Sequence, residues 1–202
     1  MIRRAAADIE AAELELSKLD SATGDGDHGS AMRRSMAAAV SAVDEADASA
    51  RPKEILHKAG WGVMSDAGGV TGPLLGSLLI GLGEGFADKA QLDAPGTAGA
   101  FEAALAGVRR QTKAAPGDKT MMDALVPAVT QMRSAADAGA DIPAVLAAGA
   151  AAAAEGAEAT RDMQARFGRA KNLGERSIGN IDAGAKSMAI LLAGFAAAVN
   201  DK

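Results

Sequence analysis

The sequence predicts an all-α protein in which eight helices form an antiparallel up-and-down barrel or bundle. Hydrophobic residues make up 49% of the 202 residues, but much of this share is alanine, and aromatic residues reach only 2%. Such a composition favours closely packed helices over β-sheet. Apolar residues also recur at helical spacing, and no segment has the pattern of a convincing strand. Since there is no internal repeat and no long linker, we expect one compact domain over residues 1–202.

The first four helices follow from the apolar spacing and from the positions of proline. The first covers Ile2–Lys18 and the second runs from Gly29 to about Ala46. The third begins at Pro52, since proline is tolerated in a first helical turn, and the fourth follows Pro73. Trp61, near the end of the third helix, is expected in the core or wall of the bundle.

The last four helices are marked by small polar residues at their starts. The fifth begins at Thr97 and runs to about Lys113, and a capping box opened by Thr120 precedes the sixth. Asp141 caps a seventh helix, which holds an alanine-rich run and is expected to end near Arg166. Asp182 caps the eighth.

Charge and cysteine content exclude several classes of protein. The formal net charge of −5 argues against a general nucleic-acid binder. The lack of cysteine removes disulfides, zinc–thiolate sites and thiol catalysis, and suits a cytoplasmic protein. No secretory signal opens the chain, and the apolar stretches Val70–Leu82 and Ala144–Ala154 are too short to span a bilayer. We therefore expect no membrane association.

Three aspartates between the first two helices predict a metal site. Asp20, Asp25 and Asp27 lie in the stretch Leu19–Gly29, where glycines alternate with two of them. Carboxylates crowded this closely repel each other unless a cation neutralises them, and oxygen ligands favour a hard ion such as Mg²⁺ or Ca²⁺. An acidic surface turn is the alternative for any single Asp-Gly pair. An EF-hand is rejected, because the spacing differs and no glutamate closes the loop.

Three further loops point to phosphate. A glycine-rich segment with Thr71 precedes the fourth helix, and helix N-termini attract anions. The second loop is the segment 116–123. The third is the long polar loop 167–182, which contains Arg169 and Lys171, and arginine is the natural partner of phosphate oxygens.

For the glycine-rich segment a tight helix–helix turn is about equally well supported, and a structural cap accounts for Thr120 and Asp123. The cap does not account for Asp118 and Lys119, for which we expect a buried salt link or a contact with the nucleotide pocket. A solvated charged loop is favoured for Lys171 and less for Arg169. In an up-and-down bundle, however, these alternate connections meet at one end. The sequence therefore predicts a nucleotide pocket at the mouth of the bundle.

Four motifs together resemble the DhaL family, the nucleotide-binding subunit of dihydroxyacetone kinase. They occur in the order of that family and cover essentially the whole chain. The motifs are Gly24-Asp25-Gly26-Asp27-His28-Gly29, Gly68-Gly69-Val70-Thr71-Gly72-Pro73-Leu74, Pro116-Gly117-Asp118-Lys119-Thr120-Met121 and Leu173-Gly174-Glu175-Arg176-Ser177-Ile178-Gly179.

The resemblance implies an eight-helix barrel with ADP or ATP at one end and two Mg²⁺ ions bridging its phosphates. By it, Asp20, Asp25 and Asp27 are the metal ligands, and no catalytic residue is implied beyond the Mg²⁺–nucleotide site. It implies a DhaK-like subunit that holds the substrate, a DhaM-like phosphocarrier, and a homodimer as a further assembly. The implied nucleotide contacts are His28, Gly29, Ser30, Ala31, Val70, Thr71, Met121, Arg169, Asp182, Ala183 and Gly184.

Three positions depart from the family pattern. Val70 and Thr71 stand where the family usually has Ala or Ser, so bulkier side chains would narrow the approach to the phosphates. Thr112 stands near a position where the family commonly has Gly. A residue with a side chain at this point would hinder close contact between the backbone and the nucleotide.

The resemblance predicts a phosphotransferase that passes a phosphoryl group from a phosphocarrier, through bound ADP, to dihydroxyacetone on the partner subunit. An ATP-dependent triose or tetrulose kinase with exchangeable ATP is the nearest alternative; His28 favours the relay, because ATP-dependent members often carry Cys there. A non-catalytic nucleotide-binding regulatory subunit is the alternative from another class, and the intact aspartate triad argues against it.

Overall fold

The structure is a computed structural model that describes residues 1–66 and 71–200. These residues form nine α-helices and two 3₁₀ segments, and no strand is found among them. The helices are α1 (Ile2–Ala11), α2 (Glu13–Ser21), α3 (His28–Asp44), α4 (Pro52–Asp66), α5 (Thr71–Phe86), α6 (Ala94–Arg109), α7 (Met122–Asp137), α8 (Ile142–Ala159) and α9 (Ala183–Asn200), with 3₁₀ segments at Thr160–Asp162 and Arg169–Ser177.

The helices form a closed ring in which each packs against its neighbour in the chain. The order runs from α3 through α9, and α1 closes the ring because it contacts both α9 and α3. The short helix α2 continues α1 and packs against α3 and α9. Counting α1 and α2 together gives the eight members of the predicted all-α barrel, and this prediction is confirmed.

The core is built from leucine, methionine and alanine, as the composition predicts. Large side chains from most helices are fully buried, among them Leu16, Met36, Leu79, Leu125 and Leu192. Alanines fill the spaces between them and allow the helices to pack closely, which compensates for the shortage of aromatic residues. Within the described residues, α9 alone is long and apolar enough to cross a membrane by composition, but 56% of it is buried in this core. A core helix that is mostly buried passes the same test of length and composition, so the test gives only weak evidence that α9 spans a membrane.

Several helix boundaries differ from the prediction. The first helix breaks at Ala12, whose N–H is shared between the carbonyls of Asp8 and Ile9. The long seventh helix of the prediction ends at Ala159, and a 3₁₀ turn follows. Trp61 is 63% exposed, so its predicted place in the core is wrong.

The predicted caps of the last two helices are confirmed. The carboxylate of Asp141 accepts a hydrogen bond from the N–H of Ala144 at 2.9 Å, and that of Asp182 accepts one from Ala185 at 2.7 Å. These caps set where α8 and α9 begin. At the start of α9, the Asp182 carboxylate occupies an N–H group that could otherwise bind an anion.

Candidate functional site

The connections between α2 and α3, α6 and α7, and α8 and α9 meet at one end of the barrel, beside the first turn of α5. They enclose a cavity of about 490 Å³, within the size range of small-molecule sites. Its walls combine four carboxylates, an arginine and a lysine with leucine, methionine and phenylalanine side chains. The lining residues are Asp20, Thr23, Gly24, Asp25, Asp27, His28, Ala31, Met32, Thr71, Leu74, Leu75, Thr112, Ala114, Lys119, Thr120, Met121, Met122, Phe167, Gly168, Arg169, Ala170, Asp182, Ala183, Gly184, Ser187 and Met188.

The three predicted metal ligands lie together at this cavity. One carboxylate oxygen from each of Asp20, Asp25 and Asp27 lies within 4.8 Å of those of the other two. Asp20 is in the last turn of α2, and Gly24 lets the chain turn back over it, since a Cβ there would lie 2.6 Å from an Asp20 carboxylate oxygen. This set of oxygen donors fits a hard divalent cation.

The N-terminus of α3 opens towards the same carboxylates. Asp27 is the N-cap residue, but its side chain makes no cap hydrogen bond. The N–H of His28 donates to Asp20 Oδ2 at 3.4 Å. Each of the two helix starts thus has one N–H bound to a carboxylate, but the bond at α3 is the longer, at 3.4 Å against 2.7 Å at α9. The start of α3 is therefore better able to bind an anion once a cation neutralises the aspartates.

Two predicted residues of α3 do not line the cavity. Gly29 is buried where α2 crosses α3, and a Cβ at this position would lie 2.1 Å from the carbonyl oxygen of Glu13. Ser30 donates its hydroxyl to the carbonyl of Asp27 at 2.9 Å. Any contact that either makes with a nucleotide would come from its backbone N–H.

Arg169 links the basic loop to the aspartate cluster. Its guanidinium forms an ion pair with the Asp25 carboxylate, although both side chains remain partly exposed. Lys171, two residues along the same 3₁₀ segment, is exposed and does not line the cavity. A cation at the aspartates and an anion at Arg169 would therefore be direct neighbours.

Lys119 holds the loop before α7 in place. It is only 2% exposed and has a positive φ of 61°. Its ammonium group donates to the carbonyl of Thr160 at 2.6 Å and also to the carbonyl of Asn180. Burial lowers the pKa of Lys119, while Asp182 and Asp123 oppose that shift. Lys119 thus ties the α6–α7 connection to both ends of the α8–α9 connection.

The start of α7 is organised by Asp123. Its carboxylate accepts from the N–H of Thr120 at 2.7 Å and from that of Gly117 at 2.5 Å. The bond to Thr120 is the returning half of the predicted capping box, and the Thr120 hydroxyl accepts from Met122. These bonds account for Thr120 and Asp123 without a ligand.

Besides Lys119, two titratable groups at the cavity have shifted pKa values. Burial lowers the pKa of His28, and the nearby carboxylates of Asp20 and Asp27 oppose that shift. Burial raises the pKa of Asp182 to about 6, although the Ala185 N–H and Lys119 favour the charged form. The carboxylates of Asp123 and Asp20 push the pKa of Asp182 further up.

Replacing Asp182 with asparagine is expected to reduce the pH dependence of stability. The folded-state pKa of about 6 exceeds the unperturbed 3.8, so the folded chain binds more protons between these values. The stability from protonated Asp182 is present below about pH 4 and is lost as the pH rises through about 6. Relative to the wild type, Asp182→Asn should gain about 2 kcal/mol in free energy of unfolding between pH 4.5 and 7. Urea denaturation of both proteins at the two pH values measures this gain; a difference that does not change with pH would contradict it.

The structure brings most of the predicted nucleotide residues to the cavity. His28, Ala31, Thr71, Met121, Arg169, Asp182, Ala183 and Gly184 line it together with the three aspartates. Val70 lies outside the described residues. Their contacts with a nucleotide stay predictions.

The sequence reasoning missed several lining residues. Leu74, Leu75, Met122 and Met188 line the cavity, although their sequence pattern predicts no more than core positions, because an apolar residue at helical spacing gives no sign of lining a cavity. Ser187 also lines the cavity, but it lies within the apolar pattern of α9, and none of its neighbours in the sequence indicates a role at a binding site.

The sequence and the fold are similar to those of one known family. The family model of the DAK2 domain matches residues 22–197, which is nearly the whole chain. The chain belongs to the DAK2 domain family. This DAK2 domain is 36% identical over 195 residues to the ADP-binding subunit DhaL of the PEP-dependent dihydroxyacetone kinase of Escherichia coli, and covers 92% of that protein.

Longer kinases contain a similar DAK2 domain. The domain is 41% identical over 181 residues to an L-erythrulose 1-kinase of Mycolicibacterium smegmatis, but spans only 31% of that enzyme's length. The crystal structure of the dihydroxyacetone kinase from C. freundii in complex with AMP-PNP and Mg²⁺ matches it with a TM-score of 0.75 and 25% identity. That match covers 98% of the DAK2 domain and 33% of the C. freundii chain.

Proposed function

We propose that this chain is the nucleotide-binding subunit of a dihydroxyacetone kinase, with ADP or ATP and two Mg²⁺ ions at the aspartate cluster. The observation that carries the proposal is the single cavity shared by Asp20, Asp25, Asp27, Arg169 and the open N-terminus of α3. Phosphoryl transfer depends on neutralising charge and aligning groups more than on covalent chemistry by the protein. The composition of this cavity suits that task.

Each part of the cavity has a separate role in this proposal. The three carboxylates hold the metal ions, which when bound neutralise phosphate charge. Arg169 pairs with phosphate oxygens once its bond to Asp25 is exchanged, and the first N–H groups of α3 bind phosphate. Leu74, Leu75 and the methionines exclude water from the remainder of the nucleotide. Thr71, which is bulkier than the family pattern, then borders the phosphates.

We propose that the phosphoryl acceptor is a short ketose held on a DhaK-like subunit. The E. coli relative is a subunit of nearly the same length as this chain, which supports a separate partner. A DhaM-like phosphocarrier would recharge bound ADP, and a homodimer and a cytoplasmic location are further expectations.

An ATP-dependent tetrulose kinase is the second candidate. It is favoured by the 41% identity to the L-erythrulose 1-kinase, which is higher than the 36% identity to DhaL of E. coli. In that case ATP exchanges with solution, and the remaining two thirds of such an enzyme would come from another chain or segment.

The nucleotide content of the purified protein after extensive dialysis with Mg²⁺ tests the proposal. We expect close to one ADP per chain, measured by chromatography of the denatured protein. An empty cavity that binds added ATP reversibly would favour the ATP-dependent kinase. An empty cavity that binds neither nucleotide would overturn the proposed function and leave only the fold.

A further inference from the structure

A hydrogen bond between α3 and α9 crosses the wall of the cavity. The His28 Nε2 atom lies 2.9 Å from the hydroxyl oxygen of Ser187, although the two residues are 159 positions apart in the chain. Ser187 is only 3% exposed, and both residues line the cavity. The bond is therefore built into the site and not a contact on the outer surface.

The partners of Ser187 determine the direction of this bond. A serine hydroxyl has one proton to donate and two lone pairs to accept with. The Ser187 hydroxyl lies 3.0 Å from the carbonyl oxygen of Gly184, which can only accept. With that proton committed, the Ser187 oxygen accepts from His28, and this bond requires the Nε2–H form of the neutral imidazole. The ring also makes a hydrogen bond with the backbone of Ala183, one helical turn before Ser187 on α9.

We propose that Ser187 is a positioning residue that holds the His28 ring in the Nε2–H form, turned away from the carboxylates of the metal site. Asp20 and Asp27 are close enough to His28 to influence its charge, and both are stronger acceptors than a serine hydroxyl. A ring released from Ser187 would turn its N–H to one of them and compete with a cation for that oxygen. The effect on nucleotide affinity rests on the proposed function; the hydrogen bond itself does not.

The first test reads the tautomer directly in the protein without nucleotide. Long-range ¹⁵N–¹H spectra at pH 8, where a histidine ring is neutral, distinguish Nε2–H from Nδ1–H. The chain has two histidines, and His57→Gln assigns the remaining signals to His28. We expect the Nε2–H pattern in the wild type, loss of that fixed pattern in Ser187→Ala, and its return in Ser187→Thr, which keeps the hydroxyl. An Nδ1–H form in the wild type, or an unchanged pattern in Ser187→Ala, would overturn the proposal.

The second test measures affinity for ADP with Mg²⁺ by titration calorimetry. Ser187→Ala and Ser187→Cys should bind about three- to tenfold more weakly, and Ser187→Thr should recover most of the loss, since one such hydrogen bond contributes about 1 kcal/mol. Ser187→Cys keeps the side-chain volume but has a weak acceptor, so it separates the hydrogen bond from packing.

Ser35→Ala is the matched control. Ser35 is a fully buried serine on the same helix as His28, and within the described residues its hydroxyl has no hydrogen-bond partner. It should change neither the tautomer nor the affinity. A tautomer change in Ser187→Ala with unchanged affinity would overturn the positioning role. Failure of the wild type itself to bind nucleotide would overturn the proposed function, while the spectra would still decide the hydrogen bond.

Discussion

Replacing Asp25 with alanine should abolish Mg²⁺-dependent nucleotide binding while the helices remain folded. Asp25 contributes one of the three clustered carboxylates and is also the partner of Arg169. A carboxylate about 4 Å from a divalent cation gains several kcal/mol at an effective dielectric constant of about 20, and about 3 kcal/mol after allowance for its half-exposed position. We therefore expect at least a hundredfold loss of affinity for ADP in the presence of Mg²⁺, measured by titration calorimetry.

Asp44→Ala provides the control for Asp25→Ala. Asp44 is a partly exposed aspartate at the opposite end of α3, and it is likewise paired with an arginine, Arg3, at 2.6 Å. Its removal changes the net charge equally but should leave nucleotide affinity within twofold. Circular dichroism should give the same helix content for both variants and the wild type. Binding by Asp25→Ala with the wild-type Mg²⁺ dependence would refute the metal assignment.

The meeting of the functional loops at one end could be predicted because it follows from topology. When consecutive helices alternate in direction, every second connection lies at the same end, whatever the side chains are. The clustering of the carboxylates in the Asp20–Asp27 loop could also be predicted, because aspartates so close in sequence must lie close in space. Arg169 was ranked above Lys171 as a phosphate partner, and the structure places only Arg169 at the cavity.

The exposure of Trp61 shows where such reasoning fails. Apolar character alone favoured burial, but the buried face of α4 is formed by Ala59, Gly60 and Val63. A residue at position 61 then points away from that face, since successive residues turn by about 100° around a helix. The packed face of α4 carries the small residues Ala59 and Gly60. Because neither has a large apolar side chain, the apolar pattern of the sequence does not show that this is the buried face.

Contacts between distant segments could not be predicted from local pattern. The partner of His28 is 159 positions away on α9, and Lys119 bonds to carbonyls of residues 160 and 180. For Lys119 the sequence suggested a salt link or a contact with the nucleotide pocket. The structure places Lys119 in the lining of the cavity, but the hydrogen bonds of its ammonium group go to backbone carbonyls of other segments instead of a carboxylate.

Replacing Lys119 with methionine should destabilise the protein by about 2–4 kcal/mol. Methionine fills much of the same volume but leaves the carbonyl of Asn180 without the ammonium donor, and leaves that of Thr160 with only the N–H of Met163 at 3.2 Å. Each unsatisfied buried acceptor costs about 1–3 kcal/mol, and part of this is offset because a charge no longer has to be buried. The free energy of unfolding from urea denaturation measures the effect.

The same substitution should also weaken nucleotide binding, because Lys119 joins the α6–α7 connection to the α8–α9 connection, and both of these contribute residues to the lining of the cavity. Lys113→Met is the control: Lys113 is an exposed lysine in the same connection between α6 and α7, and it does not line the cavity. It should alter the free energy of unfolding by less than about 0.5 kcal/mol. If both variants were as stable as the wild type, the two carbonyls would have other donors and Lys119 would not hold this end of the barrel together. Loss of stability without loss of affinity would instead mean that the loops keep their arrangement around the nucleotide without this link.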